Sequence, residues 1–211
     1  MTCKVFLAVG AIVGALVAAG AARAAEPSGT VTALVGTALA GLEGIERPLT
    51  TGDLVRVGEL IRTETGSRLT LQLGPATVVN LGPATRLRIE PHLAEAGGVL
   101  DLIDGGMVFD HVGGAGAKAR TSKVRSPYGL IAVRGTRFFA GRSRGVFGVF
   151  LAEGRVDVTA RGRTVRLRPG LGTDIAAPGR RPSRPQAWPA GRVREALQET
   201  TGRAVMPPRQ R

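Results

Sequence analysis

The chain has one cysteine, Cys3, two histidines, one tyrosine and one tryptophan among 211 residues, and only 4% of it is aromatic. Each shortage removes a class of chemistry. A single thiol cannot form a disulfide within the chain, so stability has to come from core burial. His92 and His111 stand 19 residues apart with no cysteine or further histidine near either, which excludes the short ligand spacing of a zinc site. No G-x-x-x-x-G-K-[ST] run cradles a phosphate, and no serine sits in a G-x-S-x-G elbow. The one local gathering of carboxylates and imidazole is Asp101, Asp104, Asp110 and His111. It lacks the regular acid spacing of a calcium loop, and Asp104-Gly105-Gly106 reads more simply as a turn. No catalytic, metal-binding or cofactor-binding residue is expected.

What is present begins with Lys4, followed by an apolar run from Val5 to Ala22 and the small-residue pattern Ala22-Arg23-Ala24. Residues 1–24 read as a secretory signal peptide. An uncleaved anchor is the alternative, since about 18 apolar residues are just enough to cross a bilayer. No second run of that length follows. A periplasmic or secreted chain with no transmembrane span in its mature form is the expectation.

The formal charge is +13, from 29 basic and 16 acidic residues. Setting aside Lys4 and Arg23 of the leader leaves +11, and residues 177–211 supply +6 of it with eight arginines against Glu195 and Glu199. That segment also holds six prolines from Pro178 to Pro208, each of which removes a backbone donor. Residues 178–211 are therefore expected to be a flexible, basic tail with one short helix at 192–200, ended by Gly202. Residues 25–177 make one domain.

Within that domain apolar residues alternate at period two: Leu69, Leu71 and Leu73; Leu87 and Ile89; Val156 and Val158; Val165 and Leu167. Such alternation marks strands with one buried face. Glycine-containing turns recur at short intervals, and no helix is expected before the tail. The sequence Leu73-Gly74-Pro75-Ala76-Thr77 returns eight residues later as Leu81-Gly82-Pro83-Ala84-Thr85. The fold class is all-β, with many short strands in either a β-sandwich or a few rungs of a β-solenoid.

Several pieces fall in a fixed order: Gly52-Asp53, then Thr63-Glu64-Thr65-Gly66-Ser67, then the alternating strand from Leu69. Ser126-Pro127-Tyr128-Gly129, Val133-Arg134-Gly135-Thr136-Arg137-Phe138 and Glu153-Gly154-Arg155-Val156 complete the set. In this progression, from about Gly29 to Thr173, the chain resembles the FecR domain family. The resemblance implies a ligandless all-β module outside the cytoplasm. FecR regulators pair such a domain with a cytoplasmic segment that controls a sigma factor; the sequence shows no such segment, so binding is expected rather than direct sigma-factor control. Gly135, Thr136, Phe138, Glu153 and Gly154 carry the motif. Their expected roles are structural: a special backbone conformation or close approach at glycine, a hydrogen bond from the threonine, and a packed hairpin around Phe138, Phe139, Phe147 and Phe150.

For contact with partners, the stretch between Asp110 and Glu153 contains no acid but holds Lys118, Arg120, Lys123, Arg125, Arg134, Arg137, Arg142 and Arg144. It forms either a positive contact field or an ordinary solvated surface. Trp188 either docks the tail or is displayed as a recognition anchor. The expected function is a non-enzymatic binding or scaffold module of the cell envelope, contacting another envelope protein through strand edges or the basic face, with a possible part in envelope signalling. The alternative is attachment to an anionic cell-wall or outer-membrane polymer through the tail. Nucleic acid suits the charge alone, but export removes that partner.

Overall fold

The computed structural model describes residues 27–90, 98–111 and 122–204. The expected signal peptide, His92, Lys118, Arg120 and the last seven residues lie outside them. Among the described residues the chain forms sixteen strands and one helix. The strands are β1 (Pro27–Val35), β2 (Ala38–Leu42), β3 (Ile45–Pro48), β4 (Leu54–Arg56), β5 (Leu60–Thr63), β6 (Arg68–Leu73), β7 (Thr77–Leu81) and β8 (Arg86–Ile89). They continue with β9 (Val99–Asp104), β10 (Gly106–His111), β11 (Ser122–Ser126), β12 (Gly129–Ser143), β13 (Val146–Ala160), β14 (Arg163–Leu167), β15 (Leu171–Ile175) and β16 (Gln186–Ala187). The helix α1 spans Ala190–Thr201.

All the strands belong to one hydrogen-bonded sheet, and its plan follows from the long β12–β13 hairpin. The first half of β12 pairs with β11 and its second half with β10, while β13 pairs with β14 through its second half and with β15 through its first. The sheet therefore has two arms. The first runs β14-β13-β12-β11-β9-β8-β5-β2-β3, and the second runs β16-β15-β13-β12-β10-β7-β6-β1-β4.

The arms fold over one another. Tyr128 precedes β12, whereas Phe147 pairs with Arg142 near its far end; in a straight strand those two positions would lie about 46 Å apart at ~3.3 Å per residue. Yet the two rings stack with centroids 4.5 Å apart and planes 7° from parallel. The bend sits at the register shift between Arg134 and Arg137, where Gly135 (φ 57°) and Thr136 form a bulge beside Gly154 (φ 88°). Inward-facing residues of both arms, among them Leu71, Leu81 and Phe138 from one and Ile61, Leu87 and Ile131 from the other, join a single buried cluster.

This curled sheet differs from both expected architectures. It is not a solenoid, because β9–β11 is the one parallel pair recorded among the described strands and the rest are antiparallel. Nor is it two separate sheets, since the bent hairpin is continuous through both arms. The eight-residue repeat has the same cause for its failure to mark equal rungs. Its first copy is the β6–β7 hairpin turn, while the second carries the chain from one arm to the other. At that crossing Thr63 Oγ1 donates to the Gly82 carbonyl (2.7 Å) and Thr85 Oγ1 to the Gly106 carbonyl (3.1 Å), both threonines being fully buried.

The described part of the tail is held against the second arm instead of standing free. Trp188, Ala196 and Leu197 bury themselves on Val108, Phe139 and Phe150, which point out of the sheet away from the main core. Thus Phe138 and Phe147 fill the main core as expected, whereas Phe139 and Phe150 form the seat of this strap. Trp188 fits because Gly148 and Gly172 leave a slot: a Cβ at Gly148 would stand 2.6 Å from the indole, and one at Gly172 would overlap it. The Arg192 guanidinium lies 3.6 Å from the centre of the indole ring, donates to both Asp174 carboxylate oxygens (2.7 and 2.9 Å) and to Ser143 Oγ (3.0 Å). Gly202, at φ 72°, ends the helix with its N–H on the Gln198 carbonyl.

Candidate interaction face

The basic residues singled out in the sequence separate into three groups in space. Lys123 and Arg125 lie two apart on β11, with buried Val124 between them, and both project from the outer face of the first arm. Arg142 and Arg144 stand at the end of the second arm and are engaged: Arg142 lies 3.6 Å from Asp104, and Arg144 forms a two-pronged bond to Glu195 of α1 at 2.9 and 3.0 Å. That bond holds the Glu195 carboxyl below the usual carboxylate range and raises the arginine.

Arg137 is a correction. It is 5% exposed, 3.3 Å from Asp110 and 3.8 Å from Glu153, so it is an internal ion partner at the bend and offers no surface cation. The reason is its place in the ladder: Arg137 stands across from Asp110 on the face that carries Val108 and Phe139, and Asp110 and Glu153 flank it there. Thr136 departs from its expected role too. It is fully buried, and its hydroxyl has no hydrogen-bond partner among the described residues. Trp188, with two readings open, is 6% exposed and docks the tail.

The outer face of the first arm gathers more charge than the sequence suggested. Arg134 stands directly across from Arg155 in the β12–β13 ladder. Arg168 immediately follows Leu167, the partner of Val156, and so continues the row beside Arg155. All three are exposed, and among the described residues none has a carboxylate within 4.0 Å. Like charges directly opposite each other weaken a sheet. One row further along, Arg166 grips Asp157 through both oxygens at 2.8 and 3.0 Å. That bond, opposed by partial burial and aided by the charges of Arg166 and Arg155, lowers the Asp157 carboxyl below its ordinary value. Beyond lie Lys123 opposite Ala132, and Arg125 beside Asp101, which also faces Arg88. From β14 to β9 this face is strongly cationic, with the acids Asp157 and Asp101 set into it.

Arg155 and Arg168 were missed in the sequence because they lie outside the acid-free stretch. The signal was the pair Arg161-Gly162 between two alternating strands, at φ 44° and 72°: a two-residue turn there fixes the register that sets Arg155 across from Arg168.

Chemistry has little foothold elsewhere. Asp101 faces Arg88 on the first arm, Asp104 bonds the Gly105 N–H at a turn, and His111 Nδ1 lies 2.9 Å from Thr77 Oγ1 on the second arm. No group of three metal-ligating side chains converges among the described residues. A groove of about 350 Å³ between the arm crossing and the end of α1 is lined by Asp104, Arg142, Glu199 and Thr200 among glycines, with no histidine, cysteine or serine in its wall.

The outline of an all-β domain built around a Gly-Thr bulge on β12 and the Glu-Gly pair beside it on β13 finds its match in known proteins. Residues 59–157 match the family model described as FecR protein. The chain carries a FecR domain. Two solved structures share its fold, each of a "putative anti-sigma factor" from Parabacteroides distasonis. The first is 17% identical with a TM-score of 0.55, and the match covers 66% of this chain and 63% of that one. The second is 16% identical with a TM-score of 0.53, covering 68% and 74%. At such identities the likeness is one of fold, and this chain spans less than two thirds of the first neighbour's length. No curated protein matches the sequence. The FecR domain occupies β5 to β13, so the family match includes both arms and the bend, while α1 lies beyond it. No helix among the described residues is long and apolar enough to cross a membrane.

Proposed function

We propose that this chain is a non-enzymatic, exported binding module that takes part in cell-envelope signalling, and that it meets a protein partner through the cationic outer face of its first arm. The observation that carries the reading is the row Arg134, Arg155 and Arg168, exposed and without carboxylates within ion-pair distance among the described residues. A row of like charges costs the isolated domain stability and becomes favourable when an anionic surface covers it. The FecR domain and the fold shared with proteins described as anti-sigma factors support a role in signalling between envelope proteins. The polymer alternative was argued from a free-standing tail, whereas the described part of that tail is docked on the second arm through Trp188 and through Arg192, which is held by Asp174 and Ser143.

The test is capture from envelope extracts with the intact chain, with bound proteins identified by mass spectrometry. An acidic protein is expected to be retained at low salt, lost when Arg155 and Arg168 are changed to Glu, and kept when the tail residues Arg180 and Arg181 are changed to Gln. Release should follow added salt, because exposed charges beyond about 8 to 10 Å are screened at 0.1–0.15 M. Capture indifferent to Arg155 and Arg168 overturns the proposal.

A further inference from the structure

We infer that the open edge of β14 accepts an acidic, extended segment of a protein partner as an added strand, with the neighbouring arginines holding its carboxylates. This rests on the arginine-face reading above and deepens it by giving the chemistry of the partner and the way it docks.

The hydrogen-bonding pattern of β14 follows from its turn. Arg161 and Gly162 form a two-residue turn, so the flanking residues Ala160 and Arg163 make the hydrogen-bonded pair and the pattern alternates from there. Thr164 and Arg166 therefore turn their N–H and C=O groups away from β13. The side chains agree, because partners stand closest in pairs that do not exchange hydrogen bonds. Those are the two pairs in contact: Thr159 with Thr164 at 2.8 Å and Asp157 with Arg166 at 2.8 Å. Among the described residues β14 pairs with β13 alone, which leaves two donors and two acceptors at ladder spacing.

The chemistry around that edge selects the occupant. Thr164, Arg166 and Arg168 share the outer face, roughly 7 Å apart along the strand, while Val165 and Leu167 face the core. An added strand in register would meet arginines on one face and the rim of the apolar core on the other. A segment alternating acidic and apolar residues satisfies both. The same charges repel a second copy of this edge, so they guard against self-pairing while admitting an acidic strand. Peptide recognition by strand addition draws affinity from main-chain bonds and specificity from alternate side chains.

The probe is a decapeptide of alternating glutamate and valine, compared with its lysine–valine counterpart and with dextran sulfate, on the intact chain. Binding of the glutamate peptide alone is expected, with slowed hydrogen exchange at the Thr164 and Arg166 amides of the unaltered protein. Thr164→Pro removes an outward donor without changing charge, and edge strands tolerate proline; it should weaken binding about tenfold. Peptide binding that depends on Arg155 but leaves both amides unprotected and Thr164→Pro without effect overturns strand addition and leaves the face reading standing. Failure of the peptide to bind overturns strand addition as well, and the extract capture then decides the face separately. Retention of dextran sulfate alone overturns both.

Discussion

At Gly154 the backbone is held at φ 88°, and the place a Cβ would take is already occupied by the Gly135 carbonyl and by Thr136 Cγ2, 2.8 Å away. Gly135 itself, at φ 57°, has open space there: nothing lies within 4 Å of its would-be Cβ. The two motif glycines thus do different jobs. Gly135 answers a conformational demand only, and an alanine in that region costs about 1–2 kcal/mol. Gly154 answers the same demand and also lets the two strands of the bend approach, so its replacement adds a clash with backbone that cannot move aside. Gly154→Ala is expected to lower the unfolding free energy by about 3 kcal/mol or more, and Gly135→Ala by only about 1–2 kcal/mol. Paired denaturant titrations check this, and equal losses would contradict the account. The residue pattern in the sequence marks both glycines as special but does not rank them, because ranking needs the partner strand. The same limit applies to Arg137: its burial depends on Asp110, which the β10–β12 ladder sets across from it and which lies far away in sequence.

The tail shows how an element can be hidden by its own composition. Proline, arginine and glycine between residues 178 and 192 look like a segment without a core, yet the decisive contribution comes from elsewhere in the chain. Gly148 on β13 and Gly172 on β15 open a slot in the outer face of the second arm, and Phe139 and Phe150 line it, with ring centroids 6.1 and 5.5 Å from that of Trp188. Alternation in the sequence shows Phe138 and Phe139 as neighbours on opposite faces, but not that both faces are covered. A marginal twelve-residue helix gains its stability from this seat and from the Arg192–Asp174 bond. Trp188 is the only tryptophan, so its fluorescence reports the strap directly. Its emission should be blue-shifted and shielded from iodide in the native chain. Gly172→Ala, which fills the slot without touching the tail, should shift that emission to the red and expose it to quencher while the sheet's circular dichroism persists. An unchanged spectrum would mean that the indole does not depend on the slot.

For the molecule as a whole, strand character, alternation and the family resemblance were readable because each depends on residues close together in sequence. The closing of the arms was not, since it depends on β12 serving β11 with one half and β10 with the other, a pairing among residues far apart. Turns between them were muted as well: Glu43-Gly44, Arg144-Gly145 and Arg161-Gly162 make positive-φ hairpins without the asparagine or aspartate that usually announces one. The resulting design has a mechanical consequence. The β12–β13 hairpin contributes strands to both arms, and the inward faces of both belong to one buried cluster, so neither arm can lose its packing while the other keeps it. Single cooperative unfolding is therefore expected, even though the sheet divides into two parts that superficially resemble separate layers. Tyr128 near-ultraviolet signal, which senses the stacking across the arms, and far-ultraviolet ellipticity should give coincident denaturation curves, with equal calorimetric and van't Hoff enthalpies. Removing the ring in Phe147→Ala should move both curves together by roughly 3–5 kcal/mol, the usual loss for a buried aromatic. Two resolved transitions, or a Tyr128 signal lost before the sheet, would show that the arms are independent bodies and that the bend only tethers them.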